Sequence, residues 1–298
     1  MLQQRSLGSS GIKVSLLGLG GNVFGPPRLD VDQTRLVIDA ALDAGVNFVD
    51  TAIVYGQGNS ELYLGEVLEG RRDRMVIATK FNLRGLEGPV GDHIRSKCDE
   101  SLRKLRTDVI DLYQIHQSPP DSVDMVDIME ALDGLVRAGK VRAIGASNFA
   151  SWRLSECAHI SKDNGFASFA TVQNYWHMLA RGLEAEVGPF VKRSGMGVLP
   201  YHPLGGGYLT GKYVLGQEKP EGTRGAAGLR EALERERHPV KPAHRVPDAH
   251  RKLCVRQQRE RRGRVVGARR RDPGEHRRDH RTARCATPGC HAVHRSPG

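Results

Sequence analysis

Val109-Ile-Asp-Leu-Tyr-Gln-Ile-His116 is a short, predominantly apolar run that closes on an ionisable side chain. Runs of this length, bounded by turn residues and followed by segments of helical period, read as buried parallel strands. The same pattern occurs twice upstream. Val46-Asn-Phe-Val-Asp50 ends on a carboxylate, with Tyr55 just beyond it, and Met75-Val-Ile-Ala-Thr-Lys80 ends on an amine. In a parallel α/β barrel the C-terminal ends of all strands open onto one rim, where active sites are built. Asp50, Tyr55, Lys80 and His116, distant in sequence, are therefore expected to converge on one pocket able to donate a proton.

The alternation extends in both directions. Upstream, a strand is expected over residues 16–20, preceded by a hairpin around 9–11. The next helix is expected over 32–44, where Leu36, Val37, Ala40, Ala41 and Ala44 recur at helical spacing before Gly45. A second helix is expected to start with Ser60 as its N-cap and Glu61 in its first turn, and a third to cover 92–105. Downstream, helices at 124–138, 151–162 and 183–193 alternate with strands at 141–147, 169–174 and 196–201. Such steps suit βαβ units with right-handed crossovers. They predict an α/β fold of the (β/α)8 TIM-barrel type with seven readable βα units and the eighth missing or degenerate. A doubly wound sheet is the alternative. It is disfavoured because Gly18-Leu-Gly20-Gly21-Asn-Val-Phe-Gly25 lacks the G-x-G-x-x-G spacing of a dinucleotide-binding turn.

The 298 residues suffice for one large domain or two small ones. No leader pattern and no long apolar run is present, so a soluble, cytoplasmic protein without membrane contact is expected. The five cysteines (Cys98, Cys157, Cys254, Cys285, Cys290) are odd in number and scattered, which fits a reducing compartment. The net charge of +11 is not a property of the whole chain. Residues 1–224 carry 25 Lys and Arg against 26 Asp and Glu, whereas 225–298 carry 20 against 8, with no Phe, Trp, Tyr, Ile or Met. Two regions are expected: a truncated catalytic barrel over 1–224 and a basic Arg/His/Pro/Gly-rich tail over 225–298. The tail lacks periodicity, reads as disordered, and has the composition of a GC-rich gene translated out of frame. Its charge could hold nucleic acid non-specifically, but without interleaved aromatics no specific recognition is expected. Cys285, Cys290, His291 and His294 match no common zinc spacing, so no metal site is expected.

Each rim residue has a plain alternative. Asp50 could cap a strand end, Lys80 could be solvated, Tyr55 could pack and His116 could simply bond its loop. Their expected convergence on one rim argues otherwise. Asp50-Thr-Ala-Ile-Val-Tyr55-Gly with Gly58-Asn-Ser60-Glu61 and Leu64-Gly65, then Thr79-Lys80, Gln114-Ile-His116, Gly145-Ala-Ser147-Asn148-Phe149, Gln173-Asn174 and Tyr201-His-Pro203-Leu204-Gly205-Gly-Gly207, resemble the aldo-keto reductases in order and spacing. The resemblance covers residues 5–224.

This resemblance implies an NADPH-dependent reductase of small carbonyl compounds that binds its cofactor extended across the barrel mouth. Tyr55 would be the general acid. A phenol ordinarily titrates near pH ~10, and an ammonium at Lys80 would ease departure of its proton. Asp50 would hold Lys80, and His116 would position the carbonyl. Ser147, Asn148 and Gln173 would hold the nicotinamide carboxamide, Tyr201 would stack on its ring, and Leu204, Gly205 and Gly207 would approach the pyrophosphate. Gly20, Gly21 and Asp50 complete the implied cofactor face. Asn22 and His202 depart from common family choices, and the basic residues expected to grip a 2′-phosphate are not legible after Tyr213. A catalytically silent barrel serving as a binding or regulatory subunit is the alternative reading, and the sequence does not indicate an oligomeric state.

Overall fold

The computed structural model describes residues 2–213. The expectations for the tail, for an eighth unit within it and for its cysteines and histidines lie outside the described residues.

The chain begins with an antiparallel hairpin, β1 (Gln4–Ser6) and β2 (Lys13–Ser15). It continues through β3 (Leu19–Gly20), α1 (Val31–Asp43), β4 (Phe48–Asp50), α2 (Asn59–Val67) and β5 (Val76–Phe81). There follow α3 (Val90–Lys104), β6 (Ile110–Ile115), α4 (Met125–Arg137), β7 (Val141–Ser147), α5 (Ser151–Asn164), β8 (Phe169–Tyr175), α6 (Val187–Ser194) and β9 (Gly197–Tyr201). Strands β3 to β9 form one parallel sheet in chain order. Neighbouring strands lie about 4.8 Å apart, so β4 and β8 would stand about 19 Å apart in a flat sheet. Instead Gln173 of β8 donates a hydrogen bond to Asp50 of β4 at 3.0 Å. The sheet is therefore strongly curled, an incomplete (β/α)8 barrel among the described residues.

The curl follows from which side chains each strand turns inward. Ala78, Leu112 and Ala143 are register partners across β5, β6 and β7 and make one interior layer. Leu7, Ile12 and Val14 of the hairpin close that layer from below, in one buried cluster with Phe48 and Ala170. Gly8 makes this closure possible: its φ is +55°, and a Cβ there would lie 1.8 Å from the Ala170 carbonyl oxygen. The outer faces of the strands, with Val49, Ile77, Tyr113, Ile115 and Val172, pack against the helices in a second and larger core. Helix α1 starts at a capping box, with Asp30 accepting from the Gln33 N–H and the Gln33 side chain accepting from the Asp30 N–H.

Three local expectations differ from the fold. The strand expected over 16–20 shrinks to Leu19–Gly20, and Leu16 and Leu17 are exposed. Ser15 is the reason: its hydroxyl donates to the Leu17 carbonyl and its N–H to Asn47, which bends the chain away from the sheet. Ser60 does not cap α2. Gly58 at φ +88° precedes the helix, while the Ser60 hydroxyl is drawn inward to the Gly21 carbonyl and Thr51. The helix expected over 183–193 breaks at Glu186 into a 3-10 turn, Gly182–Ala185, and α6. No helix among the described residues is long and apolar enough to cross a membrane.

Candidate active site

Asp50, Lys80 and Gln114 sit on inward positions near the C-terminal ends of β4, β5 and β6. Lys80 is wholly buried. Its ammonium donates to Asp50 Oδ1 at 2.6 Å and to the Thr51 carbonyl at 2.8 Å. A buried charge is tolerated when paired and hydrogen-bonded, and Lys80 meets both conditions. The other oxygen of Asp50 accepts from Gln114 Nε2 at 3.2 Å and from Gln173 Nε2 at 3.0 Å. One carboxylate on β4 is thus tied to three other strands, β5, β6 and β8, across the lumen.

Tyr55 enters from the short 3-10 turn Tyr55–Gly58 that follows β4. The Lys80 ammonium lies 4.9 Å from its ring centroid. The His116 ring, one residue past β6, meets it edge-on at 5.6 Å. Burial lowers the His116 pKa to about 4, helped by the Lys80 ammonium and opposed by Asp50. The imidazole is therefore neutral at neutral pH. All four rim residues expected from sequence are brought together.

The remaining expected positions line the same mouth. The Ser147 hydroxyl and the Asn148 N–H both donate to the Gln173 carbonyl at 3.0 Å. Asn148 is left-handed at φ +60°, which aims its side chain sideways. Its Nδ2 donates to the His116 carbonyl at 3.0 Å, and its Oδ1 accepts from the Tyr201 hydroxyl at 2.7 Å. Beyond the exposed Leu204, Gly205, Gly206 and Gly207 are all left-handed. The N–H groups of Gly205 and Gly207 are engaged within the turn, at the His202 and Leu204 carbonyls. The bare surface is completed by a cation, because Lys212 Nζ lies 3.2 Å from where a Cβ of Gly207 would stand. Gly20 is exposed beside Asp50 in register, whereas Gly21 is buried against Ser60 and Thr51.

Two residues of this site were missed from sequence. Gln114 shares strand parity with His116, a signal that could have placed it inward. Lys212 follows the Thr210-Gly211 end of the glycine turn, and nothing in the local sequence marks it as returning to Gly207.

The sequence model of the "Aldo/keto reductase family" matches residues 16–247. The chain belongs to the aldo/keto reductase family. This aldo/keto reductase is 37% identical over 231 residues to the uncharacterized oxidoreductase YrpG of Bacillus subtilis, covering 69% of this chain and 68% of that one. It is 32% identical over 257 residues to Protein tas of Escherichia coli, covering 75% and 74%. Two solved aldo/keto reductases of Klebsiella pneumoniae share its fold. One, in complex with NADP and acetate, gives a TM-score of 0.59 at 27% identity, covering 66% of this chain and 67% of that one. The other, in complex with NADPH, gives 0.60 at 26%, covering 68% and 69%.

Proposed function

We propose that this aldo/keto reductase is an NADPH-dependent carbonyl reductase in which Tyr55 gives its phenolic proton to the oxygen of a small aldehyde or ketone. The observation that carries the reading is a wholly buried ammonium, Lys80, held 2.6 Å from Asp50 and 4.9 Å from the Tyr55 ring. NADPH, when bound, supplies a hydride to the carbonyl carbon. The Tyr55 O–H bond breaks as its proton passes to the carbonyl oxygen, and the Lys80 ammonium stabilises the negative charge left on the phenol oxygen. Asp50 fixes that ammonium through Oδ1 and the Gln114 and Gln173 amides through Oδ2. A neutral His116 acts as a hydrogen-bond partner of the carbonyl oxygen and does not compete as an acid.

The cofactor fits the residues present. Ser147, Asn148 and Gln173 offer a hydroxyl and two amides for the nicotinamide carboxamide, and Tyr201 offers a ring face. The side-chain-less turn Gly205–Gly207, with the Lys212 ammonium beside it, suits a pyrophosphate. A cytoplasmic location is proposed on the buried, unpaired thiols Cys98 and Cys157, each pushed up to about 12 by burial. The domain boundary near residue 224 is likewise a proposal, and the family match extends past it to residue 247.

The test is turnover of NADPH with simple aldehydes and ketones, followed by loss of nicotinamide absorbance. Tyr55→Phe is expected to lower kcat by at least about 100-fold with NADPH affinity retained, and Lys80→Met to act in the same direction. Undiminished turnover in the Phe variant removes Tyr55 from the mechanism.

A further inference from the structure

His177 is buried just past the end of β8. Two hydrogen bonds fix its ring. The Leu179 N–H donates to Nδ1 at 3.1 Å, so Nδ1 carries no proton. The proton of the neutral ring is then on Nε2, which donates to the Tyr175 hydroxyl oxygen at 2.7 Å. The backbone closes the same turn, with His177 N–H donating to the Ala180 carbonyl at 3.2 Å and Ala180 N–H to the His177 carbonyl at 2.9 Å.

Both consequences of this arrangement reach the cofactor face. Tyr175 pairs with Tyr201 in the β8–β9 register, and their rings lie 5.5 Å apart. The His177 ring also lies against the glycine turn: a Cβ on Gly205 would stand 3.5 Å from its Cε1. Gly205 is itself buried and left-handed, at φ +57°. One imidazole therefore backs Tyr201 through Tyr175 and forms the floor under the first glycine of the turn.

We propose that His177 is a positioning residue for the cofactor, setting the height of the Gly205 turn and the tilt of the Tyr201 ring at once. The inference rests on the NADPH reading above. A smaller side chain would remove the floor under Gly205 and the hydrogen bond from Nε2 to the Tyr175 hydroxyl, and close-packed contacts of this kind do not refill by themselves.

The test uses the full chain and three readouts: equilibrium NADPH binding by nicotinamide fluorescence, steady-state kinetics, and amide hydrogen exchange without cofactor. His177→Ala is expected to weaken NADPH binding about tenfold, the equivalent of one or two lost hydrogen bonds. The KM for NADPH should rise in parallel while kcat stays within about twofold. Exchange at Leu179 and Gly205 should quicken before any cofactor is added. His177→Asn, which keeps an acceptor for the Leu179 N–H, should recover part of the affinity. Tyr175→Phe should cost less in the His177→Ala background than alone, because the two act through one contact. If His177→Ala fails to fold, the Asn and Tyr175 variants carry the same comparison. Unchanged affinity and unchanged exchange in these variants overturn the inference, as does a fall in kcat at constant affinity. Absence of NADPH binding by the unsubstituted chain instead overturns the cofactor reading, and with it the cofactor part of this one.

Discussion

The fold gives Lys80 and His116 different partners. Lys80 keeps its charge company with Asp50 and the Thr51 carbonyl. His116 has no such carboxylate of its own, and burial drives its pKa from 6.5 to about 4. The unfolded chain binds a proton there below about pH 6.5, whereas the native chain does so only near 4. Between these limits the unfolded state holds more protons, so stability contributed above pH 6.5 is lost as pH falls towards 4. Denaturant midpoints measured across that window should decline, and His116→Asn should flatten part of the decline. An unchanged slope would mean that His116 is solvated in the native state. The rim quartet was legible because each member follows an apolar run at a strand end. Gln114 was not singled out, because a glutamine inside a strand carries no chemistry of its own and only its parity with His116 marks it as facing the lumen. Asn148 was placed by motif, but its left-handed backbone and its bonds to His116 and Tyr201 had no sequence signal.

Helices α2 and α3 approach more closely than ordinary side chains permit. A Cβ on Gly65 would lie 2.3 Å from the Lys104 carbonyl oxygen and 2.8 Å from the Leu105 carbonyl carbon. Both are backbone atoms and cannot swing aside. Gly65→Ala should therefore cost about 1–3 kcal/mol in chemical denaturation, although alanine normally favours a helix. Behind this contact, Glu61 of α2 is buried and accepts from the Thr79 hydroxyl at 2.6 Å. Burial raises its pKa, and the Thr79 hydrogen bond only partly opposes this. The native state thus holds this proton more tightly than the unfolded one. The resulting stability is complete below about pH 4.5 and is lost as pH rises through the native value. Glu61→Gln should accordingly gain on wild type as pH rises, read as a widening difference in denaturant midpoint between pH 5 and pH 8. A variant that loses ground with rising pH would show that the carboxylate is wanted charged. Sequence placed Glu61 correctly in the first turn of a helix, beside its positive end, but took Ser60 for the N-cap. Both side chains turn instead to tertiary partners, Ser60 to Gly21 and Thr51 just past β3 and β4 and Glu61 to Thr79 on β5, while Gly58 takes the N-cap position.

At the scale of the molecule, period and run length revealed the βα alternation from β4 to β9, with most element ends within a residue or two and the start of α6 four residues late. The first strand was overestimated because apolar Leu16 and Leu17 look like a wall segment, yet Ser15 and Asn47 turn them outward. The break in composition at Gly225 was equally plain, and it falls outside the described residues. The order of the strands in the sheet is the order of the strands in the chain. Every wall contact therefore joins a segment to the one made just before it, and the wall can accrete step by step as the polypeptide leaves the ribosome. The bond from Gln173 to Asp50 is of another kind, since it joins residues 123 apart and spans the lumen. The carboxylate made early in synthesis waits for β8 before its set of partners is complete. Loop closure over long separations is slow compared with local pairing. Pulsed hydrogen exchange during refolding should thus protect amides of β5 and β6 before the Asn148 amide, which is bonded to Gln173. Simultaneous protection would mean that the wall and its lumen form as one cooperative unit, and that chemistry becomes possible at the moment the sheet appears.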